Sequence, residues 1–411
     1  MFRDFAKIKL ISSQNLTFCG ILLVFVLGCQ QITSADNAVT PLESDLAALR
    51  ARYAPDRRTD RVEVNLTRRG DSALLQGYTT VPAARAAMDS LAAARPGTYS
   101  EVRLLPQDEA FGLIRVSVAN IRTEPGHSQE LTSQALMGTP VEILDQEEGW
   151  YLIRTPDRYI AWLETGAVTP ATSADLAAWF ADSLYAAVAP QASVYADRSR
   201  QRLVSELVAG DLLRAAGPVA GGLLPVRLPD GRQGFVPAAE LEPYTSLTAP
   251  TEVVVENLLS SAFEQVGRPY LWGGTSTKAM DCSGFTKTAY YLNGFVIPRD
   301  ASQQVHAGTD VSLDDSFAQL QRGDLLFFGN FRDDGSERVT HVGFYLGEGR
   351  FLHAGADNGY ITENSLRESD PDFAPHRRES LLRARRLTAD SKGVLPIDRA
   401  FASLYTKSSS R

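Results

Sequence analysis

Two stretches in the middle of the 411-residue chain repeat one pattern of short strands and turns, and this repeat restricts the fold strongly. Gly138 and Gly210 open matching apolar runs 72 residues apart (210 − 138), and further strands follow at 150–154 and 224–228. Short strands separated by Gly, Pro and Asp turns predict two small β-barrels. We assign 101–170 to the first barrel, 171–188 to a helical connector and 189–246 to the second barrel.

The segments that flank the barrels predict an α+β protein. Residues 44–100 form a small α/β unit, because alternating runs at 61–66 and 73–78 precede an Ala-rich helix that begins at Pro82. Residues 251–387 contain two helices, at 253–266 and 281–292, followed by strands at 324–328, 341–346 and 350–353. Helices followed by an antiparallel sheet indicate an α+β domain. Residues 388–411 are a weakly patterned tail.

The first 29 residues differ from the rest of the chain. Arg3, Lys7 and Lys9 precede an apolar run at 18–28, which is too short to span a bilayer and fits a secretory signal. The run ends in Val-Leu-Gly-Cys29, which resembles the bacterial lipobox, so Cys29 is expected to carry lipid and 30–43 to act as a tether. Gln30 resembles the sorting signal for the outer membrane, and the expected location is therefore a periplasm-facing, membrane-anchored lipoprotein. An ordinary buried helix is the alternative.

The cysteine count and the charge restrict the function. The chain has three cysteines, and Cys19 would leave with the signal while Cys29 carries lipid, which leaves Cys282 as a free thiol. A lone thiol in an oxidising compartment indicates a chemical role. The net charge is −8 and no dense Lys/Arg stripe occurs, so a nucleic-acid partner is not expected.

Cys282 is the candidate nucleophile. Asp281 is a natural N-cap, which places Cys282 in the first turn of a helix. The positive end of the helix dipole favours a thiolate there. The alternative is a small buried cysteine that only fills space.

Two of the five histidines, His341 and His353, are candidate partners of this thiol. They are 12 residues apart (353 − 341) across the Gly-Glu-Gly turn at 347–349. A three-residue loop would put both side chains on one face of a hairpin, whereas a two-residue loop would put them on opposite faces. We predict the odd-length loop and a Cys–His–His set, in which His341 moves the proton and His353 orients it. Two ordinary sheet histidines or a zinc site are the alternatives, but zinc-type spacings are absent from the sequence, so no metal or cofactor is expected.

Residues 255–355 resemble the NlpC/P60 family of papain-like cysteine peptidases. The resemblance rests on six motifs in the order of the family, at 267–274, 281–285, 298–304, 323–328, 341–343 and 352–354. It implies that Cys282 is the nucleophile, His341 the base and His353 the third catalytic residue. It also implies cleavage of peptidoglycan stem peptides next to γ-D-glutamyl.

The order of the domains resembles a narrower group, the γ-D-glutamyl-L-diamino acid endopeptidases with tandem SH3-like domains. Members of this group accept stem peptides that begin with a free L-Ala. The resemblance implies substrate contacts from the catalytic motifs and from the first barrel: Tyr270, Trp272, Asp281, Ser283, Arg299, Asp300, Glu130 and Tyr159.

The resulting hypothesis is hydrolysis of γ-D-glutamyl-diamino acid bonds in peptides such as L-Ala-γ-D-Glu-diamino acid. Asp281 and Glu130 would hold the amine, and a closed pocket would reject an acylated amine because the anion would stay unpaired. A hydrolase of the intact wall, a non-catalytic wall-binding lipoprotein and an acyltransferase on the same fold are the alternatives. The membrane, through the lipid anchor, is the other expected partner.

Overall fold

We describe the protein from a computed structural model, which covers residues 41–69, 72–181 and 183–406. The predicted signal, most of the tether and the lipidation site Cys29 lie outside the described residues. Within the described ranges, no helix is both long enough and apolar enough to cross a membrane.

The N-terminal unit is a three-stranded sheet covered by two helices. Its elements are α1 (Pro41–Tyr53), β1 (Val62–Arg69), β2 (Ser72–Thr79), α2 (Pro82–Ala93) and β3 (Thr98–Leu104). β2 pairs antiparallel with β1 and parallel with β3, which requires the crossover helix α2. Leu46, Val64, Leu75 and Met88 form the core. The predicted boundary at 100 is therefore early, because β3 belongs to this unit.

The first barrel is a seven-stranded sheet in the order β10-β4-β7-β8-β9-β5-β6. Its strands are β4 (Phe111–Ile114), β5 (Val118–Arg122), β6 (Leu131–Leu136), β7 (Pro140–Glu147), β8 (Trp150–Arg154), β9 (Ile160–Glu164) and β10 (Val168–Ala171). Alternate side chains such as Ile121, Ile153 and Leu163 point inward and are fully buried.

The second barrel repeats the first strand for strand. Its strand order is β13-β12-β16-β15-β14-β11-β17. Read from the other edge of the sheet, this order equals that of the first barrel when seven is added to each strand number. The strands are β11 (Leu184–Ala187), β12 (Gln191–Tyr195), β13 (Leu203–Val208), β14 (Leu212–Ala215), β15 (Leu223–Arg227), β16 (Gln233–Pro237) and β17 (Leu241–Pro243). The predicted repeat is confirmed. The predicted connector helix is too long, because α3 (Ser173–Phe180) stops before β11, which belongs to the barrel.

The catalytic domain begins with helices and ends in a sheet, as predicted. Its first part contains α4 (Tyr244–Thr248), α5 (Val255–Phe263), β18 (Thr275–Ser276), β19 (Ala279–Met280), α6 (Cys282–Leu292), β20 (Phe295–Val296) and α7 (Ala301–Gln304). The second part contains β21 (Thr309–Val311), β22 (Leu325–Phe331), β23 (Glu337–Gly347), β24 (Arg350–Gly355), β25 (Tyr360–Ser365), α8 (Pro375–Ser380) and β26 (Leu381–Arg386). Six strands form one sheet in the order β21-β26-β22-β23-β24-β25, and α6 packs against β23 and β24.

Residues 395–405 form a strand and a helix, which corrects the prediction that 388–411 is a weakly patterned tail. β27 (Leu395–Pro396) pairs with β20, and α9 (Ile397–Tyr405) follows it. Ile397, Ala400 and Phe401 occupy one face of α9 at helical spacing and are buried in a cluster that includes Trp179 of α3. The end of the chain therefore helps to hold the first barrel against the catalytic domain.

Candidate active site

Cys282 is the first residue of α6, at the position that the sequence predicts. The Asp281 carboxylate caps the helix by accepting from the backbone N–H of Gly284 at 2.7 Å. A Cβ atom on Gly284 would lie 2.0 Å from the Gly274 carbonyl oxygen, so the glycine lets the loop before β18 pass close to the helix. The Cys282 side chain faces the core between α6 and the sheet.

Burial, rather than the helix dipole, controls the Cys282 thiol. Burial and the neighbouring Asp281 carboxylate raise the pKa of the thiol to about 12, while the backbone N–H of Val342 and Arg299 act in the opposite direction. Burial thus opposes the thiolate that the position at the start of α6 favours. A base must take the proton when the sulfur attacks.

His341 and His353 meet, with 2.8 Å between Nε2 of His341 and Nδ1 of His353. The prediction that they share a sheet face is confirmed, but the predicted three-residue loop is wrong. The turn between β23 and β24 has two residues, and a β-bulge between Tyr345 and Gly347 shifts the register. The extra residue of the bulge restores the parity that a two-residue turn would invert.

A hydrogen-bond chain behind the histidines fixes their tautomers. The Asn364 Nδ2 group donates to the backbone carbonyl of Asp372 at 3.2 Å, so the other end of this amide, Oδ1, is an acceptor. Oδ1 lies 2.9 Å from Nε2 of His353, which must therefore donate. Nδ1 of His353 is then an acceptor for Nε2–H of His341. As a result, the lone pair of His341 is on Nδ1, which is the ring atom that can accept a proton.

Both imidazoles are neutral at pH 7. Burial lowers the pKa of His341 well below its usual value, and the neighbouring His353 adds to this effect. Burial lowers the pKa of His353 to about 4, although the hydrogen bond to Asn364 opposes the shift. Neutral His341 is the form that can act as a base. Val342, the residue after His341, donates its N–H toward the Cys282 sulfur, which brings β23 to the nucleophile.

Asp281 and Arg299, both predicted to contact substrate, are bound to each other, and their substrate roles stay predictions. Arg299 Nη2 lies 2.6 Å from Asp281 Oδ2, and Nη1 lies 3.1 Å from Oδ1. The same carboxylate accepts from the backbone N–H groups of Gly273 and Gly284, which leaves it well satisfied. The Arg299 side chain is fully buried, and its Nε donates to Ser133 of the first barrel at 3.1 Å. This buried ion pair therefore stabilises the wall of the pocket.

A pocket opens beside Cys282, and three parts of the chain line it. The lining residues are Arg58 of the N-terminal unit, Thr132 and Tyr159 of the first barrel, and Trp272, Asp281, Cys282, Ser283, 300–302 and 338–340 of the catalytic domain. The Ser283 hydroxyl donates to Asp281 at 3.2 Å and accepts from Arg299, so this side chain is held within the buried pair.

The remaining predicted substrate contacts lie in or next to this pocket. Trp272 is 60% exposed, and its indole N–H donates to Glu130 Oε1 at 2.7 Å. The Tyr159 hydroxyl bonds to Thr132, and burial raises the pKa of Tyr159 to about 12. Tyr270 packs against the core that contains Cys282, and burial raises its pKa. Their substrate roles stay predictions.

Sequence reasoning missed Asn364 and Arg58. Asn364 lies on β25 with no motif around it, and Arg58 is 242 residues from Asp300, which it contacts. An asparagine after a predicted strand pair could have been considered as a partner of His353. No local pattern could have identified Arg58.

The Asn364 interaction predicts a measurable loss of activity. Asn364→Leu would leave the buried Nε2–H of His353 unpaired. The hydrogen-bond chain would then no longer fix the tautomer of His341. Such a loss costs about 1–3 kcal/mol, so we expect kcat to fall roughly ten- to a hundredfold. Asn364→Asp keeps an acceptor and should retain more activity than the leucine variant. Steady-state kinetics at pH 7 would check this, and equal rates for the two variants would contradict the relay.

Two family models match this chain. The NlpC/P60 family model matches residues 267–372, and the bacterial dipeptidyl-peptidase Sh3 domain matches residues 121–168. The first range contains Cys282, His341 and His353, and the second lies within the first barrel. The predicted resemblance is confirmed for these two domains.

Curated relatives and solved structures cover much of the chain. It is 29% identical to "Dipeptidyl-peptidase 6" of Lysinibacillus sphaericus over 63% of this chain and 93% of the relative. It is 28% identical to "Gamma-D-glutamyl-L-lysine dipeptidyl-peptidase" of Bacillus cereus over 56% of this chain and 68% of the relative. An NlpC/P60 family protein from Bacillus cereus, solved by crystallography, aligns with a TM-score of 0.57 and 25% identity over 67% of this chain and 99% of its own.

Proposed function

We propose that this chain, a cysteine peptidase with an NlpC/P60 domain and a bacterial SH3 domain, hydrolyses γ-D-glutamyl-diamino acid bonds in peptidoglycan stem peptides that begin with free L-Ala. The observation that carries the proposal is the pocket, in which Asp281 and Asp300 lie with the buried thiol of Cys282, while Glu130 of the first barrel contacts the lining residue Trp272. The name of the Bacillus cereus relative supports the bond type.

The proposed reaction uses Cys282 as the nucleophile and His341 as its base. Nδ1 of His341 takes the proton of the Cys282 thiol as the sulfur attacks the γ-carbonyl carbon of D-glutamate. The resulting imidazolium gives that proton to the nitrogen of the leaving diamino acid, the C–N bond breaks, and a thioester remains. Water then loses a proton to His341 and attacks the thioester. The products are the dipeptide acid and the free thiol. His353 stabilises the charged His341 by accepting its Nε2–H.

Asp300 and Glu130 are the candidates to hold the substrate amine. Asp281, which the sequence predicts for this role, also lines the pocket, but its carboxylate is bound to Arg299. Asp300 lines the pocket and its side chain is 26% exposed, so a ligand can reach it. Glu130 accepts from the indole of Trp272, which lines the pocket. Carboxylates suit a primary ammonium group, which donates three hydrogen bonds.

The experiment that tests the proposal compares a free and an N-acetylated peptide. Acetylation removes the ammonium charge and its charge-assisted hydrogen bonds, which costs about 2–4 kcal/mol. We therefore expect kcat/KM for N-acetyl-L-Ala-γ-D-Glu-diaminopimelate to fall roughly thirty- to a thousandfold below that for the free peptide. Product identification by mass spectrometry would also locate the cleaved bond.

The control variant for this experiment is Glu130→Gln. It keeps the size of the side chain, and its amide oxygen can still accept from Trp272, while the charge is lost. We expect a smaller preference for the free peptide with little change on the acetylated one. Equal cleavage of both peptides by the unmodified enzyme would reject the free-amine specificity and favour a general wall hydrolase.

We also propose that Cys29 carries a lipid anchor. The support is the basic start, the apolar run and the Val-Leu-Gly-Cys29 sequence. Cys29→Ser is expected to move the protein from the membrane fraction to the soluble fraction after cell fractionation. Cys19→Ser is the matched control, because it keeps the proposed lipidation site. A Cys29→Ser protein that stays with the membrane would contradict the anchor.

A further inference from the structure

The N-terminal unit reaches the active site through the loop that joins α1 to β1. This loop is attached to the first barrel next to Tyr159. The backbone N–H of Ile160 donates to the carbonyl of Arg58 at 2.6 Å, and Arg61 Nη2 donates to the carbonyl of Ile160 at 2.8 Å. The loop is therefore fixed at the edge of β9, and it carries the side chain of Arg58 into the pocket that contains Cys282.

The Arg58 guanidinium connects this loop to the catalytic domain. Its Nη1 donates to Asp300 Oδ2 at 2.8 Å and to the Ser302 hydroxyl at 2.9 Å. Its Nε and Nη2 donate to the two carboxylate oxygens of Asp56 at 2.8 and 2.9 Å. Asp56 in turn accepts from Gln303 Nε2 at 2.8 Å. A guanidinium held by a bidentate carboxylate on one side is a rigid donor on the other.

Asp300 depends on Arg58 for its charge balance. Burial raises the pKa of Asp300, the neighbouring Asp281 adds to that rise, and Arg299 and Arg58 oppose it. Arg299 already forms the close pair with Asp281, and its Nη1 is 3.9 Å from Asp300 Oδ1. Arg58 contacts Asp300 directly, at the other oxygen. The charge of Asp300 also raises the pKa of the Tyr159 phenol.

We propose that Arg58 is a specificity-determining residue, which orients Asp300 so that Oδ1 can bind the free amine of the substrate. This inference rests on the proposed function, and it makes the N-terminal unit part of the active site. Arg58 acts through Asp300 and is thus a positioning residue. It occupies one carboxylate oxygen, Oδ2, and leaves Oδ1 to the amine.

The test compares Arg58→Gln, Arg58→Lys and the matched control Arg57→Gln. Arg57 is the adjacent residue, but its guanidinium is 70% exposed and pairs with Glu63 of the N-terminal unit. Each protein is assayed with free and N-acetylated L-Ala-γ-D-Glu-diaminopimelate across a pH series. Thermal unfolding of each variant confirms that it is folded.

We expect Arg58→Gln to lower kcat/KM for the free peptide roughly tenfold, mainly through KM, without lowering the value for the acetylated peptide. The acid limb of the pH profile for the free peptide should move to higher pH, because Asp300 is protonated earlier when Arg58 is absent. Arg58→Lys keeps the charge without the forked geometry and should restore part of the preference. Arg57→Gln should behave as the unmodified enzyme.

Two results would overturn the inference while the proposed function stands: an Arg58→Gln enzyme that prefers the free peptide as strongly as the unmodified one, or equal losses of kcat on both peptides. If the unmodified enzyme itself cleaves both peptides equally, the proposed function fails, and this inference fails with it.

Discussion

Cys282→Ala is expected to abolish hydrolysis. The mechanism forms a thioester on this sulfur, and loss of the nucleophile in covalent triads typically lowers kcat by several orders of magnitude. We expect a reduction of at least roughly ten-thousandfold. The variant should still bind substrate, because the groups proposed to hold the amine are unchanged. Kinetics and isothermal titration with the free peptide would check both expectations.

Two controls distinguish loss of chemistry from loss of folding. Cys282 is buried, but replacing it by alanine removes a single sulfur atom, so the thermal unfolding curve should change little. Iodoacetamide should inactivate the unmodified enzyme, and the competing peptide should slow that reaction. Near-native turnover by Cys282→Ala would contradict the assignment of the nucleophile.

Arg299→Met is expected to cause the largest loss of stability. The Arg299 side chain is fully buried, and it bonds to Asp281, Ser283 and Ser133 of the first barrel. Removing one partner of a buried ion pair leaves an uncompensated charge and typically costs about 3–5 kcal/mol. We expect the midpoint of urea unfolding of the catalytic domain to move clearly to lower urea concentration. Fluorescence would measure this transition.

The matched test of this explanation is the double variant Asp281→Asn/Arg299→Met. Asparagine caps a helix about as well as aspartate, so α6 keeps its N-cap while the unpaired charge disappears. The double variant should therefore be more stable than Arg299→Met alone, despite carrying one more substitution. A double variant that is less stable would show that lost packing, rather than charge, dominates.

Local patterns predicted the parts of this protein whose contacts lie close in sequence. Asp281 and Cys282 occupy the predicted N-cap and first turn of α6. The two barrels have the same strand order, as a repeat requires. The face shared by His341 and His353 was predicted for an incorrect reason. The bulge in β23 supplies the parity that we had assigned to the loop, and bulges depend on pairing with neighbouring strands.

Other elements were visible in the sequence but were not used. Leu42, Leu46 and Leu49 have helical spacing and mark α1, and Ile397 and Phe401 do the same for α9. The pairing of Arg299 with Asp281 was out of reach, because a motif shows which residues occur and not which of them neutralise each other. Arg58 was also out of reach, since only the docking of whole domains brings it to Asp300.

The lining of the pocket comes from three parts of the chain, whereas Cys282, His341, His353 and Asn364 all belong to one domain. The proposed function thus assigns bond cleavage and the choice of substrate to different parts of the protein. A molecule in which the domain contacts loosen is then expected to keep its catalytic groups together and to lose its proposed selectivity first. Substitutions at the domain boundaries are expected to change which peptides are cut without altering any residue that cuts them.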